Sequence, residues 1–149
     1  MYMNCNCGQI MKVELRSLIY LRKVRISHVP VYACQDCSAY ELVPSIKPDL
    51  VCYIHSLGEV DSRMNVSFAD TYEPAAVLRE VLSLSLDSVQ EIQKQCNIAF
   101  DDRINMLLDL YRVAKIKGDS VWIAEIQTRL RKLTAFMKIQ KEYLEYCMN

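Results

Sequence analysis

Val29-Pro30-Val31-Tyr32-Ala33-Cys34-Gln35-Asp36-Cys37 decides how this chain reads: a β-rich apolar run leads straight into two cysteines with two residues between them. A second close pair, Cys5-Asn6-Cys7 followed by Gly8, opens the chain. Zinc takes four soft ligands in a tetrahedron, and thiolates supply them without any redox change. Cys5, Cys7, Cys34 and Cys37 therefore read as the ligands of one metal ion. The stretch between Cys7 and Cys34 is long enough for a β-hairpin whose base brings the two pairs together, which is the geometry of a zinc ribbon. Gly8 tolerates the positive φ that a metal-binding turn needs.

Ile10 to Cys34 alternates with the period of a half-buried strand. Val13 and Leu15, then Val24, Ile26 and His28, take one face, while Lys12, Glu14, Arg16, Lys23 and Arg25 take the other. Two antiparallel strands joined near Tyr20-Leu21-Arg22 are predicted, with Pro30 ending their pairing. Tyr40-Glu41-Leu42-Val43 predicts a further short strand. Ser45 to Gly58 predicts a helix, with Pro48 in its first turn and Gly58 as a left-handed stop. These elements make up a first module over 1–58.

Residues 59–73 show no period and read as a linker. Everything from 74 to 149 reads as helical. The predicted helices are Ala75 to Leu84, one capped by Asp87 that runs to about Cys96, and one capped by Asp101 that ends at Gly118-Asp119. In the last helix Ile123, Ile126, Leu130, Leu133, Met137, Gln140, Leu144 and Cys147 form a heptad seam. Gly118 folds this helix back on a partner some ten residues shorter, so part of the seam needs cover from elsewhere in the chain or from a second copy. Trp122, Phe136, Tyr143 and Tyr146 lie off the seam as core packing or as a docking face. The expected fold class is α+β: a small zinc-ribbon β-hairpin module followed by an all-α helical module with an αα-hairpin.

With those residues in place, residues 3–58 resemble the YgiT-type zinc finger, the metal-binding half of MqsA-like bacterial antitoxins. The likeness rests on the opening thiol pair with its Gly, the hairpin, and Val29-Pro30-Val31-Tyr32-Ala33-Cys34-Gln35-Asp36-Cys37 against a Val-Pro-x-x-x-Cys-x-x-Cys signature. It implies that Cys5, Cys7, Cys34 and Cys37 hold a structural Zn2+ and that the zinc module can contact a partner protein. Two departures stand out: the first pair is C-x-C where C-x-x-C is usual, and Ser38 stands where Gly is usual. The C-terminal half shows no helix-turn-helix, so operator binding is not carried over.

Composition narrows the function. The chain has 149 residues, of which 52% are apolar and 24% charged, enough for a packed core and too regular for a disordered tether. Formal charge is zero, so overall basicity does not advertise nucleic acid. There is no apolar run of membrane length and no leader-like start, which together lead us to expect a cytoplasmic protein without a membrane partner. Seven cysteines, an odd number, suit a reducing compartment, with Cys52, Cys96 and Cys147 as ordinary buried thiols. A thioredoxin-like use of Cys34 and Cys37 would want a βαβ setting, and a hairpin precedes them instead.

His28 and His55 are the only histidines, so acid–base catalysis has thin material and no enzyme is expected. His28 is an alternative fourth ligand should Cys5 fail. Lys12, Arg16, Arg22, Lys23 and Arg25 on the ribbon, with Arg129, Arg131, Lys132, Lys138 and Lys141 on the last helix, read as solvated faces or as a phosphate-tracking surface. The leading expectation is a bacterial zinc-binding regulatory or adaptor protein acting through protein–protein interaction, with a possible homodimer through the C-terminal helix. Nucleic-acid binding by the basic ribbon face is the alternative.

Overall fold

A computed structural model describes residues 2–148, with side chains through Glu142. The chain is mixed α and β. A curled sheet holds β1 (Tyr2–Asn4), β2 (Ile10–Tyr20), β3 (Val24–Cys34), β4 (Tyr40–Leu42) and β5 (Met64–Ser67). The helices are α1 (Lys47–Ser56), α2 (Glu73–Leu82), α3 (Val89–Lys117) and α4 (Ser120–Met148). Strands β1 to β4 lie side by side in chain order, each antiparallel to the next, and β5 pairs parallel with the first half of β3.

The turn between β2 and β3 forms without Gly or Asn. Leu21 and Arg22 take φ of 51° and 58°, and the Lys23 N–H donates to the Tyr20 carbonyl. Pro30 does not end the pairing, contrary to expectation: β3 runs on to Cys34, with Pro30 opposite Leu15. A residue without an N–H fits a ladder wherever that position faces away from the partner strand. Here the Pro30 carbonyl accepts from the Val43 N–H on the far side, at 3.2 Å.

Between Arg16–Val29 and Leu18–Ile26 the register shifts, so that Ser27 and His28 oppose Ser17 alone. His28 sits in this bulge with φ of 59°. The extra residue breaks the predicted parity of β3, and from Val29 to Cys34 every residue is buried.

Residues 59–73 are not a bare linker. They supply β5 and a short 3-10 turn at Phe68–Asp70, and they bury Phe68 and Tyr72, whose rings stack at 4.8 Å. A single buried cluster runs from Val13, Ile26 and Tyr32 on the sheet through Phe68 and Leu78 to Leu107 and Leu133 on the helices. The signal missed here was a parallel pairing with Val24–Ser27, which no local pattern reveals.

The two helices predicted between Asp87 and Gly118 are one. Ser88 caps α3, its hydroxyl accepting from the Glu91 N–H, and Asp101 is an exposed residue in mid-helix. Ile92, Cys96, Phe100, Leu107 and Ala114 are its buried residues. Gly118, at φ 66°, ends α3, and the Asp119 carboxylate accepts from the Trp122 N–H to start α4.

Both α3 and α4 are 29 residues long, so the expected ten-residue difference in length is absent. Ile126, Leu133 and Gln140 face inward as predicted. Phe136, expected off the seam, is also buried and stacks on Phe100 at 5.4 Å. The side chains of Tyr143, Leu144, Tyr146 and Cys147 lie outside the described residues.

Candidate metal centre

Two tight turns at one end of the sheet carry the four cysteines. The first, between β1 and β2, is closed by the Cys5 N–H donating to the Gln9 carbonyl at 2.8 Å and the Gly8 N–H to the Cys5 carbonyl at 3.0 Å. Gly8 takes φ of 92°, a conformation costly for residues with a Cβ. The second turn joins β3 to β4, where the Cys34 N–H donates to the Ala39 carbonyl at 2.8 Å. Ser38 holds the left-handed position here, with φ of 58°, where a glycine would be unstrained. Met11 opposite Cys34, in the β2–β3 ladder, brings the two turns together.

The sulfurs of Cys5, Cys7, Cys34 and Cys37 all lie within 4.8 Å of one another. Cys5 Sγ is 3.4 Å from Cys37 Sγ, and Cys7 Sγ is 3.6 Å from Cys34 Sγ. A tetrahedron with metal–sulfur bonds of about 2.3 Å has edges of about 3.8 Å, so the spacing is compatible with one ion among four thiolates. Cys5 and Cys34 are buried, and Cys7 and Cys37 are exposed. The short C-x-C spacing thus does not keep Cys5 out of the cluster.

His28 does not complete the site. Its Nδ1 lies 2.7 Å from Ser67 Oγ on β5 and 3.2 Å from Ser27 Oγ, and it is not in the cysteine cluster. The bulge places it there, and an alternation argument could not foresee a bulge.

Backbone amides serve the sulfurs. The Cys37 and Asp36 amides hydrogen-bond the Cys34 sulfur and bring its pKa down to about 7. For Cys7 the Gln9 amide also pulls downward, but contacts with the Cys5 and Cys34 thiols outweigh it and push the pKa up to about 12. Cys37 is likewise helped by the Ala39 amide and raised by its Cys5 and Cys34 neighbours. One thiolate forms readily, and crowding opposes the next. Four thiolates at this spacing need a cation among them, which is the electrostatic condition for binding a thiophilic metal.

Most of the basic side chains singled out in the sequence are drawn into local bonds, Arg22 and Lys141 being exceptions among the described residues. Lys12 Nζ donates to the Asp87 carbonyl, Lys23 Nζ to the Val60 carbonyl and Arg25 Nε to Ser17 Oγ, while Arg16 pairs with Glu14. On α4, Arg129 grips Glu73 through two bonds of 2.9 Å, and Lys132 lies 3.6 Å from Asp49. Arg103 of α3 reaches the same Glu73, so one carboxylate in the first turn of α2 joins three helices. Among the described residues, no helix is long and apolar enough to cross a membrane. In comparisons with known proteins the chain matches no family model, no curated protein and no solved structure.

Proposed function

We propose that Cys5, Cys7, Cys34 and Cys37 bind one structural zinc ion in a ribbon-like site, and that the protein is a bacterial cytoplasmic regulator or adaptor working through protein–protein contacts. The convergence of four sulfurs within 4.8 Å, from turns 27 or more residues apart in the chain, carries the metal half of this reading. Four protein ligands fill a tetrahedron and leave no position for a substrate, which favours a structural over a catalytic ion. Soft thiolate donors favour zinc over hard cations such as magnesium or calcium.

The adaptor half rests on the resemblance of residues 3–58 to YgiT-type zinc fingers and on exposed apolar side chains at turns. Ile19 and Leu21 stand out at the β2–β3 turn, as do Ile116 and Val121 at the α3–α4 turn. Nucleic-acid binding is the weaker reading because Lys12, Arg16, Lys23 and Arg25 already hold partners within the chain.

Native mass spectrometry of protein purified without added metal tests the first half. One zinc per chain, lost in a Cys34→Ser Cys37→Ser variant, is the expected result, and a metal-free mass with four reactive thiols overturns it. Capture of a partner that survives high salt and nuclease supports the second half. A partner lost under both treatments replaces it with the nucleic-acid reading.

A further inference from the structure

The outer edge of β2 is open. β1 pairs with β2 only at Ile10 to Lys12, and β4 and β5 lie on the far side of β3. Among the described residues no strand therefore pairs with the outer edge of β2 from Val13 to Tyr20. Arg16, Ser17, Leu18 and Ile19 are exposed. A free edge of this length, with apolar side chains on it, is one that proteins usually blunt or pair.

Pro30 shows which backbone groups face outward. It has no N–H, its carbonyl is taken by Val43, and it stands opposite Leu15. Leu15 and Pro30 are therefore a non-hydrogen-bonded pair, and the Leu15 N–H and carbonyl point away from β3. By the two-residue period Val13, Ser17 and Ile19 point the same way.

We propose that this edge pairs with the same edge of a second copy of the chain, antiparallel and about a two-fold axis at Ser17. Three other symmetric registers bring outward groups face to face, and each is poorer. An axis at Leu15 would drive the second copy's Leu18 and Ile19 into the lane that β1 occupies beside Lys12 and Met11. An axis at Arg16 sets two arginines directly opposite each other, which is repulsive. An axis at Leu18 shortens the ladder.

With the axis at Ser17, the second copy's hairpin tip reaches Val13 and stops where β1 begins. Leu15 and Ile19 then exchange both of their outward bonds across the axis, as does the Ser17 pair. Half-buried Leu15 covers Ile19, which is 60% exposed in the single chain. The Tyr20 phenol stands opposite Glu14 of the second copy, where its O–H can donate to the carboxylate. The register thus matches backbone hydrogen bonds and apolar contacts using one strand against itself, as an isologous interface requires. This inference does not rest on the identity of the metal. An edge-to-edge contact this small predicts a concentration-dependent dimer and not an obligate one.

The test is amide hydrogen exchange by NMR together with sedimentation equilibrium, on the full chain as purified, from low micromolar to submillimolar concentration. The Leu15, Ser17 and Ile19 amides should gain protection as concentration rises, in step with dimer formation, while Glu14 and Arg16 amides stay protected throughout. Ile19→Lys should weaken the dimer by about tenfold or more, and Ser17→Pro, which removes an outward N–H, should abolish it. Circular dichroism checks that both variants keep the fold, and Ile19→Lys retains a readout if the proline does not fold. A monomer at every concentration, or a dimer indifferent to Ile19→Lys with those three amides still exchanging freely, overturns the proposal.

Discussion

Replacing Glu73 by Gln tests the clamp that joins α2, α3 and α4. Glu73 lies in the first turn of α2, with its side chain only 13% exposed, and accepts both Nε and a terminal nitrogen of Arg129 as well as a bond from Arg103. Arg103 also reaches Glu80. Burial alone would raise the Glu73 pKa, but the bonds from Arg129 and Arg103 overcome it and hold the carboxyl below its ordinary value. Gln keeps the shape, loses the charge, and turns an N–H2 toward guanidinium donors.

Removing one partner from a buried charged network typically costs about 3–5 kcal/mol. Arg129 keeps a third of its side chain in water, so we expect the lower end, about 3 kcal/mol. At about 2–4 °C per kcal/mol for a chain of this size, Tm should fall by roughly 6–12 °C. Urea denaturation of the two proteins at neutral pH gives the difference directly.

The pH dependence has a definite sign. A carboxyl whose folded pKa is depressed contributes fully above its unfolded pKa, near 4.3, and that contribution is lost as pH falls through the lower folded value. The stability gap between the unaltered chain and the Glu73→Gln variant should therefore close at acid pH, whatever the cysteine site does in both. A difference under about 1 kcal/mol at neutral pH would mark the network as an ordinary surface ion pair, not a clamp.

Other consequences of the packing are as open to test. Phe136→Ala removes a ring that is almost wholly buried against Phe100 and should cost about 3–5 kcal/mol in chemical denaturation, whereas a solvated face of α4 would lose almost nothing. Gln140→Leu removes the Oε1 that accepts from the Tyr32 hydroxyl at 2.8 Å, and with it the bond from Gln140 Nε2 to Ser45 Oγ. The expected loss is about 1–3 kcal/mol, and a neutral outcome would mean that the sheet and α4 do not meet through this contact.

The parts of the structure that chemistry dictates locally were legible in the sequence. Cysteine spacing, the alternation of β2, Pro74 in the first turn of α2 and the Gly118-Asp119 break all act within a few residues, and each lies where its local signal pointed. What was not legible depended on distant partners. Phe68 and Tyr72 look like loop residues until Val24–Ser27 gives β5 a strand to pair with. His28 kept its parity on paper because a bulge leaves no mark in composition.

The single helix α3 is a different kind of miss. The Ser88–Glu91 capping box and the stripe Ile92, Cys96, Phe100 were present in the sequence, but Asp101 offered a second plausible cap. An aspartate's identity does not say whether its backbone is helical. At the candidate metal site, Cys5 lies with the other three cysteines, and His28 lies elsewhere.

If a metal ion holds the end of the sheet where four thiols crowd together, that end should depend on it for its order. Hydrogen exchange of the purified protein, before and after chelation verified by metal analysis, tests it most directly. Amides of the two cysteine turns and of β4 should lose protection on chelation, while the α3–α4 core around Leu107 and Leu133 keeps most of its own. Turns equally protected with and without metal would contradict it.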